Sequence, residues 1–308
     1  MSDAPAGQLL ETGVEVPFSE IEAALGRAGA QEGKRASGLA LTATVVVVGP
    51  PERLPVAAEA LTQLTDIGIR AILISYGDSA TPIVRVLDQA VALDGLTPHY
   101  LNNAVAALRL SSLPTLVWWR DGPPELLDGL ANLADRLVLD ADDPTPLWAR
   151  VSAIAERSAT SDLRWTRLTR WRALMAHFWD IPEVRAAAPG FNRLRIEGSD
   201  RHAARLYAAW LVSTLKWTPA TLEVIEKPGG EAIECVELGD GEQSLTLRTA
   251  SSSTCIETAA RVHGYAGDVS RIVSLGDRGL SVLIAEELRI RSRDFAFERA
   301  VAAAGGIS

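Results

Sequence analysis

The feature that most constrains the fold is the run Leu41 to Val48, which is apolar or β-branched almost without interruption. Such a run, without polar alternation, is typical of a strand buried on both faces. It ends at Gly49-Pro50-Pro51, where proline removes the N–H that a strand needs. Similar runs and helical patterns then alternate: strands at 71–76, 83–93, 113–119 and 136–140, helices at 55–67, 101–110, 123–134 and 145–157. The alternation predicts a layered α/β domain with a largely parallel sheet over residues 39–160.

The second half of the chain has a different pattern. Ser158 to Ser161 is small and polar and predicts a linker, after which Asp162 begins a helix that runs to about Trp179. A strand at 191–196 and a helix at 199–216 precede four short β segments with glycine-containing turns, and two closing helices follow at 282–290 and 295–303. Consecutive short strands of this kind favour antiparallel hairpins. Residues 161–308 therefore predict a smaller α+β domain with antiparallel strands.

The first 38 residues form a separate acidic segment. Residues 1–32 contain six acidic residues and one arginine, a net charge of −5. Ser19 and Glu22 have the spacing of a capping box, and apolar residues continue at helical spacing, so we predict a short helix over about 18–30.

Charge and composition exclude several classes of protein. The formal net charge is −9, which disfavours a nucleic-acid binder or a protein of anionic membrane surfaces. No apolar run reaches the roughly 20 residues of a spanning helix, and the N-terminus lacks the basic start of a signal peptide. We expect a cytoplasmic protein with no membrane partner. Cys235 and Cys255 lie in neighbouring β segments, which leaves open a regulatory disulfide or two reduced core thiols.

Motifs for nucleotide and nucleophile chemistry are absent from the sequence. There is no G-x-x-x-x-G-K-[ST], no G-x-G-x-x-G and no G-x-S-x-G, and the four histidines are scattered. Pro50 and Pro51 remove N–H donors that a phosphate cradle requires. We therefore predict a chain with no catalytic residue, no cofactor and no metal ligand.

One acidic turn supports an alternative. Asp140-Ala141-Asp142-Asp143 follows a strand, where the sites of α/β proteins gather. Asp140 and Asp142 could hold Mg²⁺ or Mn²⁺ in a metal-dependent nucleotide-sugar transferase. The competing interpretation is that Asp142 or Asp143 caps the helix that opens at Pro144.

Tryptophan is abundant, with eight in the chain, and two groups of tryptophans are interleaved with arginine. Trp118, Trp119 and Arg120 end a strand. Trp165, Trp171 and Trp179 lie on the 162–179 helix together with Arg164, Arg167, Arg170 and Arg172. Trp and Arg are preferred anchors of protein interfaces, and the tryptophans can also pack a core. The candidate partner interface consists of Trp118, Trp119, Arg120, Arg164, Arg167, Arg170 and Arg172.

These two blocks carry a family resemblance. The strand Leu113-Pro114-Thr115-Leu116-Val117-Trp118-Trp119 and the helix Asp162 to Met175, with its pattern D-L-x-W-x-R-x-x-x-W-R-x-L, resemble the glucose-6-phosphate dehydrogenase assembly protein family (OpcA) of bacteria. The strand at Leu41 and the late Glu286-Glu287-Leu288-Arg289 fit as well, so the resemblance covers about residues 40–304.

The resemblance implies a non-enzymatic partner that binds glucose-6-phosphate dehydrogenase, promotes its active oligomer and raises its activity. Photosynthetic members of the family use cysteines for redox control. This chain has two cysteines, and we do not carry that control over.

Overall fold

The central strand of the computed structural model is Ala43–Gly49, and every residue of it is buried, as the uninterrupted apolar run predicts. The structure describes residues 13–32, 39–79, 82–87, 90–250, 254–264 and 271–307. The predicted joint at residues 33–38 lies outside them. The chain divides into two units: unit 1 is Met1–Leu163 with Gly279–Arg293, and unit 2 is Arg164–Arg278 with Asp294–Ser308.

Unit 1 is built on an eight-stranded sheet with the order β1-β4-β5-β3-β2-β6-β7-β8. Its strands are β1 Val14–Glu15, β2 Ala43–Gly49, β3 Ile69–Ser79, β4 Ile83–Leu87, β5 Ala90–Leu96, β6 Thr115–Trp119, β7 Arg136–Leu139 and β8 Ala159–Asp162. The pairs from β5 through β8 are all parallel, whereas β4 and β1 add antiparallel at one edge. The α/β fold class and the largely parallel sheet are therefore confirmed.

Seven helices of the described residues belong to unit 1. They are α1 Ile21–Glu32, α2 Leu54–Thr62, α3 Leu101–Leu108, α4 Leu127–Leu130, α5 Thr145–Trp148, α6 Val151–Ile154 and, from late in the chain, α11 Leu280–Arg289. The predicted helix at 123–134 is a single short turn of α-helix after a 3₁₀ turn, and the one at 145–157 is split into α5 and α6.

Two predictions along this sheet were wrong. The strand predicted over 83–93 is the antiparallel pair β4 and β5, because its apolar residues continue on both sides of 88–89, which lie outside the described residues. The linker predicted at Ser158 to Ser161 is largely the buried edge strand β8. Its polar side chains are buried because they have partners: the Ser161 hydroxyl donates to Glu287 at 3.0 Å, and Asp162 accepts from Trp148 Nε1 at 2.9 Å.

Helix α11 lies in unit 1, whereas the sequence places all of 161–308 in one domain. Leu283, Ile284 and Ala285 pack in the same core as Leu54 and Ala57 of α2. On the next turn Glu287 is buried and accepts from Arg136 Nε at 2.5 Å. This packing joins residues about 150 positions apart, which local patterns do not encode.

Unit 2 contains a six-stranded sheet with the order β10-β9-β11-β12-β13-β14. The strands are β9 Arg193–Gly198, β10 Thr221–Glu226, β11 Cys235–Gly239, β12 Ser244–Thr249, β13 Cys255–Arg261 and β14 Arg271–Ser274. The helices are α7 Leu163–Arg167 (which begins at the last residue of unit 1), α8 Thr169–His177, α9 Pro182–Ala187, α10 Arg201–Leu215 and α12 Phe295–Ala304. All pairs are antiparallel except β9 with β10, which α10 connects. The antiparallel-rich second sheet confirms the α+β prediction.

Candidate functional site

The strand order of unit 1 points to one place where a ligand site is expected. From β5 to β8 the order β5-β3-β2-β6-β7-β8 is the 3-2-1-4-5-6 arrangement of doubly wound dinucleotide-binding sheets. In such sheets ligands bind outside the carboxyl ends of the strands, where the order reverses. Here that crevice lies between β2 and β6, at the turns Gly49-Pro50-Pro51 and Arg120-Asp121-Gly122.

Two arginines lock these turns together. Arg53 Nη1 donates to the carbonyl of Arg120 at 2.9 Å, and Arg120 Nη1 donates back to the carbonyl of Arg53 at 2.9 Å. The backbone of Gly49 packs so closely that a Cβ there would lie 3.0 Å from Arg120 Cβ. The crevice is therefore closed by the chain's own backbone and side chains.

The acidic turn after β7 supplies the counter-charges. Asp140 Oδ2 lies 3.1 Å from Arg120 Nε and accepts from Trp118 Nε1 at 3.1 Å. Asp142 pairs with Arg53, and Asp143 accepts the backbone N–H of Thr145, the first residue of α5, at 3.0 Å. The helix-start interpretation is thus met by Asp143, while Asp140 and Asp142 are held by arginines. Among the described residues, no three His, Cys, Asp or Glu side chains are grouped to hold a metal ion.

Two aromatic side chains, Tyr76 and Trp119, lie beside the same turns. The sequence patterns did not identify Tyr76 as part of this site. The Tyr76 ring lies edge-on to Trp119, with centroids 6.0 Å apart, and burial together with the charge of Asp121 raises the Tyr76 pKa far above its usual value. Gly122 has a φ of +140°, and a Cβ there would lie 2.5 Å from the Tyr76 ring. A glycine two residues after a Trp-Arg strand end is the signal in the sequence for this close approach.

Four tryptophans of the two groups that are interleaved with arginine are core residues. Trp118 and Trp119 are fully buried in unit 1. In unit 2, Trp165 is 2% exposed, donates from Nε1 to Asp294 at 2.7 Å and packs on Phe297. Trp171 is 1% exposed, and its carbonyl accepts from the Tyr207 hydroxyl at 3.2 Å. These side chains have no surface to present to a partner.

Two of the four helix arginines also have structural roles. Arg164 Nε donates to Asp200 at 2.9 Å, and Asp200 in turn caps α10 by accepting from the backbone N–H groups of His202 and Ala203. Arg172 lies over Trp165, 3.5 Å from the ring centroid, and donates to the Trp165 carbonyl at 3.3 Å. Burial lowers the Arg172 pKa to about 10, which leaves it charged at neutral pH.

Arg167 and Arg170 differ from these two. Arg167 is half-buried and Arg170 is exposed, and they are three residues apart at the junction of α7 and α8. Arg170 is therefore the exposed arginine of the four, and Arg167 has the same intermediate burial as Arg164 and Arg172.

Cys235 and Cys255 are two strands apart, because β12 lies between β11 and β13. Cys235 lies opposite Arg248, which lies opposite Glu257. Two strand spacings alone separate the cysteine backbones by roughly 10 Å, beyond the reach of a disulfide. Burial raises the Cys235 pKa, so this thiol is a core group and not a reactive thiolate.

The strand order of unit 1 is that of doubly wound dinucleotide-binding sheets, and arginines and aspartates of the chain join the turns at its crevice. Among solved structures the chain is similar to the 3-ketoreductase KijD10 from Actinomadura kijaniata in complex with NADP (TM-score 0.52, 10% identity, 86% of this chain and 95% of that chain). It is also similar to glucose-6-phosphate 1-dehydrogenase from Mycobacterium avium (TM-score 0.50, 12% identity, 85% and 91%). These likenesses show the fold alone.

Sequence comparison gives the family. Residues 158–301 match the family model that describes the C-terminal domain of a glucose-6-phosphate dehydrogenase subunit, OpcA. The OxPP cycle protein OpcA of Synechocystis is 25% identical over 66% of this chain, and that of Nostoc punctiforme is 28% identical over 40%. These matches support the OpcA family, the one that the two sequence blocks resemble. It spans about half the length of the Synechocystis protein and 28% of the Nostoc protein.

In the part of the chain that the structure describes, no helix is both long and apolar enough to cross a bilayer.

Proposed function

We propose that this chain is a non-catalytic accessory protein that binds glucose-6-phosphate dehydrogenase in the cytoplasm and promotes its active oligomeric state and activity. The observation that carries the proposal is the match of residues 158–301 to a domain family named for a subunit of that enzyme. The relatives named as OxPP cycle proteins support the same pathway. An accessory protein activates an enzyme when it binds the active state more tightly than the inactive one.

The closed crevice supports a role without chemistry of its own. Arg53 and Arg120 occupy the place where this fold receives a dinucleotide, and each is bonded to the turn that holds the other. Pro50 and Pro51 offer no N–H to a phosphate. The alternative of a metal-dependent nucleotide-sugar transferase loses support, because Asp140 and Asp142 are paired with these arginines.

We place part of the contact with the dehydrogenase on α7 and α8. Arg167 and Arg170 present charge at the surface, while Trp165, Trp171 and Arg172 hold the helices in the core of unit 2. Arg is enriched at interface centres because its fork makes several hydrogen bonds at once.

The direct test is a binding titration of the purified chain with its cognate dehydrogenase. We expect saturable binding with a defined stoichiometry, together with a shift of the dehydrogenase to a larger species in sedimentation. Absence of binding at micromolar concentrations of both proteins would refute the proposal.

A further inference from the structure

An apolar groove of about 560 Å³ lies at the β1 edge of unit 1. None of its lining residues belongs to the crevice or to α7 and α8. Its floor is formed by Val84, Leu96 and Ala104, which are buried. Val16, Pro17 and Phe18 form one wall, and Tyr100, Asn103 and Ala107 of the 3₁₀ turn and α3 form the other. The lining is almost entirely apolar.

Large apolar side chains are exposed along the groove. Phe18 is 45% exposed and Tyr100 is 40% exposed, on opposite walls. Val14 is 67% exposed. It pairs with Val86, and the Val16 N–H donates to the Val84 carbonyl, so Val14 lies on the same face of the sheet as Val16. A cluster of exposed large apolar side chains marks a protein-binding surface more often than an isolated exposed residue does.

The charge around the groove indicates the chemistry of the occupant. The wall Val16 to Phe18 lies between two exposed glutamates, Glu15 and Glu20. Glu20, at the end of the 3₁₀ turn that Phe18 begins, is exposed. A complementary segment therefore combines large apolar side chains with flanking Lys or Arg, as amphipathic helices in grooves do.

We propose that this groove docks an apolar, basic-flanked segment of glucose-6-phosphate dehydrogenase, as a second contact besides the one on α7 and α8. The inference rests on the proposed function, since it takes the dehydrogenase as the partner. It gives part of the acidic N-terminal segment a role, because Val16, Pro17 and Phe18 form one wall and Glu15 and Glu20 supply negative charge beside it.

Two neighbouring alanines of α3 provide a matched test. Ala106 and Ala107 are both exposed, but only Ala107 is among the residues that line the groove. Ala107→Arg fills the groove with a bulky cation, whereas Ala106→Arg places the same group on the same helix outside it. We expect Ala107→Arg to weaken binding of the cognate dehydrogenase about tenfold or more, and Ala106→Arg to leave it within about twofold. Both variants should melt at the wild-type temperature.

A second pair of variants separates apolar contact from charge. Phe18→Ser should weaken binding at all salt concentrations, with Phe295→Ser, an exposed phenylalanine of unit 2, as its control. Glu20→Lys should weaken binding mainly at low salt, because screening removes the charge contribution; Glu59→Lys, exposed on α2, is its control.

The possible outcomes distinguish this inference from the proposed function. Wild-type affinity in Ala107→Arg and Phe18→Ser overturns the groove contact and leaves the proposed function standing. Failure of the wild-type chain to bind the dehydrogenase overturns both. If Ala107→Arg abolishes self-association of the chain in sedimentation but leaves dehydrogenase binding intact, the occupant is a second copy and the inference is overturned.

Discussion

Single residues decide whether the crevice of unit 1 is open or closed. Arg53 and Arg120 each follow the end of a parallel strand, and the aspartates that hold them follow a third strand. The two pairs differ in burial: the side chains of Arg120 and Asp140 are 11% and 14% exposed, whereas Asp142 is 83% exposed. Asp140 should therefore contribute more to the stability of the fold than Asp142 does.

We predict that Asp140→Asn destabilises the protein by about 3 kcal/mol, because it leaves the arginine charge buried without its partner. Asp142→Asn should cost less than about 1 kcal/mol, as expected for an exposed pair. Chemical denaturation of both variants measures the difference. Equal costs, or a rise in melting temperature on adding Mn²⁺ to the wild type that Asp140→Asn abolishes, would contradict the structural role and restore a metal site.

Part of this site was predictable from the sequence and part was not. The aspartates after β7 are a local signal of a helix start, and Asp143 accepts the N–H of the first residue of α5 there. The pairing of Arg53 with Asp142 depends on which strands become neighbours. Because one sequence does not reveal strand order, the arginines that fill the crevice could not be assigned to it.

At the scale of elements, the junction of α7 and α8 combines packing and exposed charge in one short stretch. Arg172 and Arg170 are two residues apart, and one covers the Trp165 ring while the other is exposed. The two arginines differ in role because they differ in burial, although they are the same residue type. The sequence showed the four arginines as one group because helical spacing does not reveal which side of a helix faces an ion-pair partner such as Asp200.

We predict that Arg167→Ala with Arg170→Ala leaves the free energy of unfolding unchanged within about 0.5 kcal/mol and weakens the dehydrogenase complex by about 1–2 kcal/mol. The matched control is Arg164→Ala with Arg172→Ala, which should destabilise unit 2 by about 2–4 kcal/mol through the lost ion pair and the uncovered tryptophan. Thermal melting and a binding titration on each double variant give both quantities. Wild-type affinity in Arg167→Ala with Arg170→Ala would move the contact away from this helix.

Elements with continuous apolar patterns were the most predictable. β2, β6 and β7 lie where β-branched runs predict them. The buried strand β8 was missed because Ala159 to Asp162 is polar, and its burial depends on Glu287 and Trp148 from elsewhere in the chain. Local pattern predicts strands that bury apolar surface, but not strands whose burial is made possible by distant hydrogen-bond partners.

At the scale of the whole molecule, the function that we propose depends on the surfaces of the chain and on no chemistry at the crevice of unit 1. Unit 1 keeps the strand order of dinucleotide-binding sheets while its crevice is bonded shut, and unit 2 contains most of the domain named for a dehydrogenase subunit. Under the proposed function, the effect of the chain on the dehydrogenase is a coupling free energy of about 1–3 kcal/mol, which corresponds to a 5- to 150-fold change in apparent affinity.

The measurement that tests the central claim most directly is the steady-state kinetics of the cognate dehydrogenase, titrated with this chain at fixed enzyme concentration. We predict a saturable fall in the apparent KM for glucose 6-phosphate or a rise in kcat, while the chain alone turns over no substrate. Because its crevice is closed, the chain should also show no binding of NADP⁺ in a parallel titration. Dehydrogenase kinetics that stay unchanged at saturating amounts of the chain would contradict the account.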